Sequence, residues 1–224
     1  MMIDYKLEID YSLLMGQWSD LLNKFLQTED MYNLMLSLHE NYKNKKDYYP
    51  SKKDIFKSFK DVRLNNITVV IINCTPTFNH RSNGLAFANK DSLINDFDPT
   101  LFNLFNGIEN HICGGLMVDK DYTLSHWTDQ GVFLLNTALT GTTKKPDVEE
   151  WSKFINYFIT YLNDMLIHSG VIFAFIGDNG THYTSKINQR KHNVLQFQTL
   201  NVDALEDINQ EITEQNGREF RIQW

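Results

Sequence analysis

Three uninterrupted apolar runs of strand length constrain this chain more than any other feature. They are Ile67-Thr68-Val69-Val70-Ile71-Ile72, Gly131-Val132-Phe133-Leu134-Leu135 and Gly170-Val171-Ile172-Phe173-Ala174-Phe175-Ile176. A strand with one face in water alternates apolar and polar residues, and these do not. Such runs belong to parallel strands covered on both faces. A weaker fourth run is His192-Asn193-Val194-Leu195-Gln196-Phe197.

Helical patterns fall between the runs. Trp18, Leu21, Leu22, Phe25, Leu34, Met35 and Leu38 recur at three and four residues from Gln17 to about Tyr42, with a break near Thr28-Glu29-Asp30. Ser51 is a candidate N-cap for a short helix through Phe56. Trp151, Phe154, Ile155, Phe158, Ile159, Leu162, Met165 and Leu166 make one apolar face from Glu149 to about His168. Asp203-Ala204-Leu205-Glu206 reads as a capping box opening a last helix. Buried strands alternating with helices predict an α/β three-layer sandwich with a short, mainly parallel four-stranded sheet, one domain over 1–224. Ligands in such folds sit outside the carboxyl ends of the strands. The loops after Ile72, Leu135, Ile176 and Phe197 are therefore where function is sought.

Composition narrows the partners. The formal net charge is -7, and nucleic-acid binders usually carry a basic face, so charge opposes general binding to DNA or RNA. There is no apolar run of membrane-spanning length, and Met1-Met2-Ile3-Asp4-Tyr5 does not begin a leader, so no membrane partner is expected. Cys74 and Cys113 form no metal pattern or disulfide framework. The expectation is a cytoplasmic protein without metal or cofactor. Richness in Asn, Lys, Ile, Tyr and Phe suits a low-GC genome, bacterial or viral.

The loops carry a resemblance. Asn73-Cys74-Thr75-Pro76-Thr77-Phe78, continuing to Gly84-Leu85-Ala86-Phe87-Ala88, is similar to the loop "GQDPYHGPGQAHGLsFSV". Trp127-Thr128-Asp129-Gln130 followed by Gly131 to Thr140 is similar to "WA.QGVLLLNtvLTV". Tyr49-Pro50, Asp98-Pro99-Thr100-Leu101, Arg190-Lys191-His192-Asn193-Val194-Leu195 and the terminal Arg221-Ile222-Gln223-Trp224 follow the same series in order. The chain resembles the family 1 uracil-DNA glycosylases almost end to end.

The departures are as informative. The motif's water-positioning Asp falls on Thr75, its Tyr on Thr77 and its His on Phe78. The second signature, "HPSPLS", supplies a catalytic His and an intercalating Leu; here the chain reads Gln196-Phe197-Gln198-Thr199-Leu200. The resemblance implies a base pocket on Phe87, which would stack on an extruded base, and Asn136, whose amide would read its edge. A loop cap at Asn136 and a core role for Phe87 stay open as alternatives. Thr77, smaller than Tyr, would admit a C5 substituent. His80 is the nearest candidate base to replace the missing groups, with Asp178, His182 and Asp96 in or near the mouth loops. Gly180 and Thr181 are candidate phosphate donors, Lys186, Arg190 and Lys191 a candidate basic cluster near the mouth, and Leu200 a candidate remnant wedge.

Three readings follow. One is a catalytically disabled relative that binds DNA, locally or weakly, or a replication or repair protein. The second is an active glycosylase with rebuilt chemistry on uracil or a C5-substituted pyrimidine. The third is a protein-interaction module with no DNA role.

Overall fold

The computed structural model describes residues 18, 24–25, 27–90, 99–117, 119–166 and 170–224. The four apolar runs become four strands, with boundaries moved by one or two residues. They are β1 (Val69–Asn73), β2 (Val132–Asn136), β3 (Ile172–Ile176) and β4 (Asn193–Phe197). Every pairing is parallel and the order is β2-β1-β3-β4. β1 to β2 steps one way across the sheet; the next crossover passes back over β1 and steps the other way. The strand order thus reverses between β1 and β3, and such a switch point leaves a crevice at the carboxyl ends.

Alternation along the strands sorts the core into two layers. Val70, Ile72, Phe133, Leu135, Phe173 and Phe175 face one way. Helices α1 (Glu29–Asn44) and α5 (Val148–Met165) cover that face. Between them in sequence come α2 (Lys57–Asp61), α3 (Pro99–Gly107) and α4 (Ser125–Asp129). Trp18, Phe59, Phe133 and Phe158 interlock at ring-centroid distances of 4.7–5.7 Å, and Trp18 Nε1 donates to Phe59 O at 2.7 Å. These four rings meet tilted or edge-on, while Phe154 and Phe158 lie parallel at 6.3 Å, so offset and edge-on packing together fill this aromatic-rich layer.

The opposite face carries Val69, Ile71, Val132, Leu134, Ile172, Ala174 and Ile176. Against it lie Leu101, Leu104 and Phe105 of α3, Trp127 of α4, and Leu205, Ile208 and Ile212 of α7 (Val202–Asn216). Before α7 comes the one-turn α6 (Thr181–Thr184). The terminal residues close this layer. Trp127 and Trp224 meet edge-on at 5.0 Å, and Gln130 exchanges two hydrogen bonds with the Gln223 backbone.

Several sequence expectations shift. The break at Thr28 is a cap: its Oγ1 accepts from Met31 N at 3.2 Å and α1 runs on to Asn44, while Leu21 and Leu22 lie outside the described residues. The short helix after Pro50 is a 3₁₀ turn, Lys52–Asp54, in which the Ser51 hydroxyl donates to the Asp54 carboxylate. The last helix is capped by Asn201, not by Asp203. Asn201 has extended backbone and accepts from Ala204 N at 3.0 Å, so Asp203 already sits inside the first turn. Met165, expected on the apolar face of α5, is half exposed, and His168 lies outside the described residues. Among the described residues no helix is long and apolar enough to cross a membrane.

Two buried polar groups stand out. Asp147, at the start of α5, accepts from the Tyr48 hydroxyl and from Thr140 Oγ1 at 3.0 Å, and Trp151 Nε1 donates to Thr140 at 2.8 Å. Burial, with the carboxylate beside it, pushes the Tyr48 phenol far above its usual range, so it stays a donor. His192, just before β4, is 2% exposed and its Nε2 lies 3.3 Å from Asn163 O. Burial lowers its pKa below the ordinary 6.5, Lys191 lowers it further, and the Asn163 carbonyl opposes both. The folded ring is thus harder to protonate than the unfolded one. Its contribution to stability is full above about pH 6.5 and is lost as pH falls through the lower folded value. Thermal melts between about pH 7 and pH 5 should show the wild type losing more stability on acidification than His192→Phe; equal losses would assign the acid sensitivity elsewhere.

Candidate functional site

A cavity of about 260 Å³ opens where the switch point predicts it. The ends of β1, β2 and β3 supply Asn73, Asn136 and Ile176; the loop after β1 supplies Thr75, Thr77 and the wall from Ser82 to Asn89; α3 supplies Thr100, Leu101 and Leu104; and the segment after β4 supplies Gln198, Thr199 and Leu200. The volume is just under the range of about 300–1,000 Å³ typical of drug-sized ligand sites, so it suits a single small ring system. Among the described lining residues none carries an acid, a base or a fixed charge.

The wall is held by its own backbone and by one buried amide. Asn83 donates to Asn89 O at 2.8 Å and accepts from Leu85 N at 2.9 Å, while Asn89 N donates to Tyr122 O at 2.8 Å. Gly84, with φ +98, lets this wall lie directly on the turn at Asp54: a Cβ there would be 1.9 Å from Asp54 O. Within this wall Phe87 has φ 66, a left-handed conformation costing a non-glycine residue about 1–2 kcal/mol. A strained aromatic that is half-buried and lines a cavity points to a role there rather than to core packing alone.

The sequence-predicted residues separate into groups. Thr75, Thr77, Phe87 and Asn136 all line the cavity, Thr75 and Thr77 as exposed residues at its rim. Phe78 is buried at 4% and lines it from behind. His80 is exposed and does not line the cavity; it sits in the turn between Asn79 and Ser82, which do. Asp178 and His182 are exposed, and Asp96 and Asp98 lie outside the described residues. Cys74 is buried, and burial pushes its thiol up to about 12, so it is protonated at neutral pH and no nucleophile.

The proposed contacts to DNA divide more sharply. Gly180 and Thr181 follow β3 at the same end of the sheet as the cavity but outside its lining. Lys186 is partly buried two residues past α6, and its backbone N–H donates to Tyr183 O. Contrary to the sequence expectation, Arg190 and Lys191 are not at the mouth. In a parallel sheet the chain must return to the amino end before the next strand. Asn193 pairs with Ile172 and its N–H donates to Val171 O, which puts residues 190–192 at the far end, about 13 Å away by strand rise. Nor is Leu200 a wedge. It is 8% exposed, packed with Ile176 and Leu205 in the core and under the cavity, because it immediately precedes the Asn201 cap of α7.

One feature escaped sequence reasoning. Lys53, Lys57 and Lys90 rim a second, shallow depression beside the cavity wall, with Asp54 and Asn83 between them. Lys53 and Lys90 are exposed, and Lys57 pairs with Asp61 at 2.5 Å. Lys53 and Lys57 stand four residues apart, and Lys90 joins them from the end of the wall that Gly84 lays against Asp54.

No family model matches the chain. Curated relatives do. The uracil-DNA glycosylase of Acinetobacter baylyi is 30% identical over 194 residues, covering 85% of this chain and 77% of that protein. The uracil-DNA glycosylase of Buchnera aphidicola is 29% identical over 187 residues, covering 80% of each. Among solved structures, mimivirus uracil-DNA glycosylase superposes with a TM-score of 0.76 at 17% identity, over 92% of this chain and 86% of that one. The same α/β architecture with its four parallel strands is thus present, and at this identity and coverage the chain belongs to the uracil-DNA glycosylase family.

Proposed function

We propose that this protein binds a pyrimidine extruded from DNA in the cavity at the strand ends and leaves its glycosidic bond intact. The observation that carries the reading is the lining itself: an amide on β2, a strained aromatic in the wall, and no ionisable group among the described lining residues. Glycosidic cleavage in this family's manner needs a carboxylate for the sugar cation and a donor for the departing base. Positioned acid–base groups contribute about 10²–10⁴-fold each. Thr75, at the carboxylate's place in the motif, is neutral at every working pH. Recognition needs neither charge, because Asn136 can pair with a base edge and Phe87 can stack on its face.

Thr77 leaves room beside C5, so thymine and 5-hydroxymethyluracil fit the same reading as uracil. The exposed Lys53 and Lys90 give a chain of net charge -7 a local cationic surface beside the cavity, which suits a phosphate backbone at modest affinity.

The test uses single- and double-stranded oligonucleotides carrying uracil, a thymine mismatch or 5-hydroxymethyluracil, with alkali to reveal abasic sites. The expected result is binding without scission, reduced about tenfold by Phe87→Ala, since stacking on an aromatic is worth about 1–3 kcal/mol per base. Scission abolished by His80→Ala or Asp96→Asn would instead establish an enzyme with rebuilt chemistry. Absence of both binding and scission would leave a module for a protein partner.

A further inference from the structure

Asn73 and Asn136 are the last residues of β1 and β2 and are register partners across the sheet. Alternation puts both side chains on the layer of Val69, Ile71, Val132 and Leu134, and they are 8% and 5% exposed. A directed chain of hydrogen bonds joins them. Thr75 N donates to Asn73 Oδ1 at 3.1 Å, and Asn73 Nδ2 donates to Asn136 Oδ1 at 3.1 Å. Its polarity is set at one end, because a backbone N–H can only donate. The oxygen of Asn73 must therefore face Thr75, its NH₂ must face Asn136, and the oxygen of Asn136 must face Asn73. The Asn73 carbonyl is itself fixed, accepting from Thr137 N at 3.0 Å and from Thr137 Oγ1 at 3.2 Å. What Asn136 retains for the cavity is its amide hydrogens.

We infer that Asn73 is a positioning residue that sets the specificity of the cavity: it locks the Asn136 amide so that the cavity offers a donor to a pyrimidine with a 4-oxo group and refuses one with a 4-amino group. This rests on the reading that the cavity takes a pyrimidine. An unlocked Asn136 could turn over and present its oxygen to a 4-amino group equally well. The motif that this loop resembles has glycine at the Asn73 position, so this lock belongs to the present chain.

Asn73→Asp tests it. A carboxylate still accepts from Thr75 N–H, but it can only accept from Asn136, whose NH₂ then turns to it and whose oxygen turns to the cavity. Asn73→Ala removes the lock without replacing it. Binding is measured by fluorescence anisotropy on two single-stranded oligonucleotides that differ in one central uracil or cytosine. Circular dichroism and thermal melts confirm that each variant is folded. The wild type is expected to prefer uracil about tenfold, the discrimination of one well-placed base contact. Asn73→Asp is expected to reverse the preference, and Asn73→Ala to bring the ratio close to one. A purely structural role would weaken both ligands together and leave the ratio unchanged. If the wild type discriminates and both variants keep its ratio, the assignment to Asn73 is overturned while the base-binding cavity stands; should Asn73→Asp not fold, Asn73→Ala alone decides this. If the wild type binds neither strand, or both equally, the base-reading cavity itself fails and the lock falls with it.

Discussion

Exchanging Thr75 for aspartate is expected to raise uracil release from single-stranded DNA by about 10²-fold or more over the unaltered chain. The position lies two residues past the end of β1, exposed at the rim of the cavity, so an aspartate there keeps its water contact and stays ionised. The neighbouring Gly177 presents bare backbone to this side chain, which lies close against it: a Cβ on Gly177 would meet Thr75 Oγ1 at 2.8 Å. A carboxylate at this point can face a sugar cation that a hydroxyl cannot stabilise. The gain stays below that of a complete active site, because the segment from Gln198 to Leu200 offers no imidazole to the departing base. Rates of alkali-revealed scission for the two proteins decide the matter. Coincident rates would mean that the reaction's charge is not handled at Thr75, and the reading of a disabled site would lose its main support.

The second large effect concerns the wall. Gly84→Ala would place a methyl group 1.9 Å from Asp54 O, in a backbone conformation with φ +98. The conformation alone costs about 1–2 kcal/mol, and overpacking a tight contact adds about 1–3 kcal/mol. A loss of about 2–5 kcal/mol is a large part of the about 5–15 kcal/mol that holds a domain folded. Urea unfolding should therefore show a much lower midpoint. Ligand binding should weaken as well in whatever fraction remains folded, since the same residue lines the cavity. A change within about 0.5 kcal/mol, the range of an ordinary surface substitution, would mean that the wall does not rest on Asp54.

The layers were legible because β-branched and aromatic runs report burial on both faces directly. Val69 to Ile72 and Ile172 to Ile176 have no polar residue to spare for solvent, and no local alternative competes with a buried strand there. The cavity was half legible. Phe87 and Asn136 follow strand-end motifs closely enough for sequence order to place them. Arg190 was misplaced because proximity in sequence to the β3 loop does not reveal that the chain has already crossed to the other end of the sheet. Leu200 was misread because its burial is set by the Asn201 cap that follows it, whereas the sequence pattern put the cap at Asp203. The Asn73–Asn136 bond and the Lys53, Lys57 and Lys90 cluster were invisible, since both depend on contacts between distant segments.

The strand order has a kinetic consequence. All pairings are parallel, so the sheet contains no hairpin and no two of its strands can zip up locally. β1 can gain its neighbours only after segments far down the chain return to it, and each return carries a loop-closure entropy before any contact repays it. Helices such as α5 can flicker in and out within microseconds, but the sheet must wait for those closures. Folding is thus governed by the slowest meeting of remote segments. Until β3 docks beside β1, the floor of the cavity does not exist.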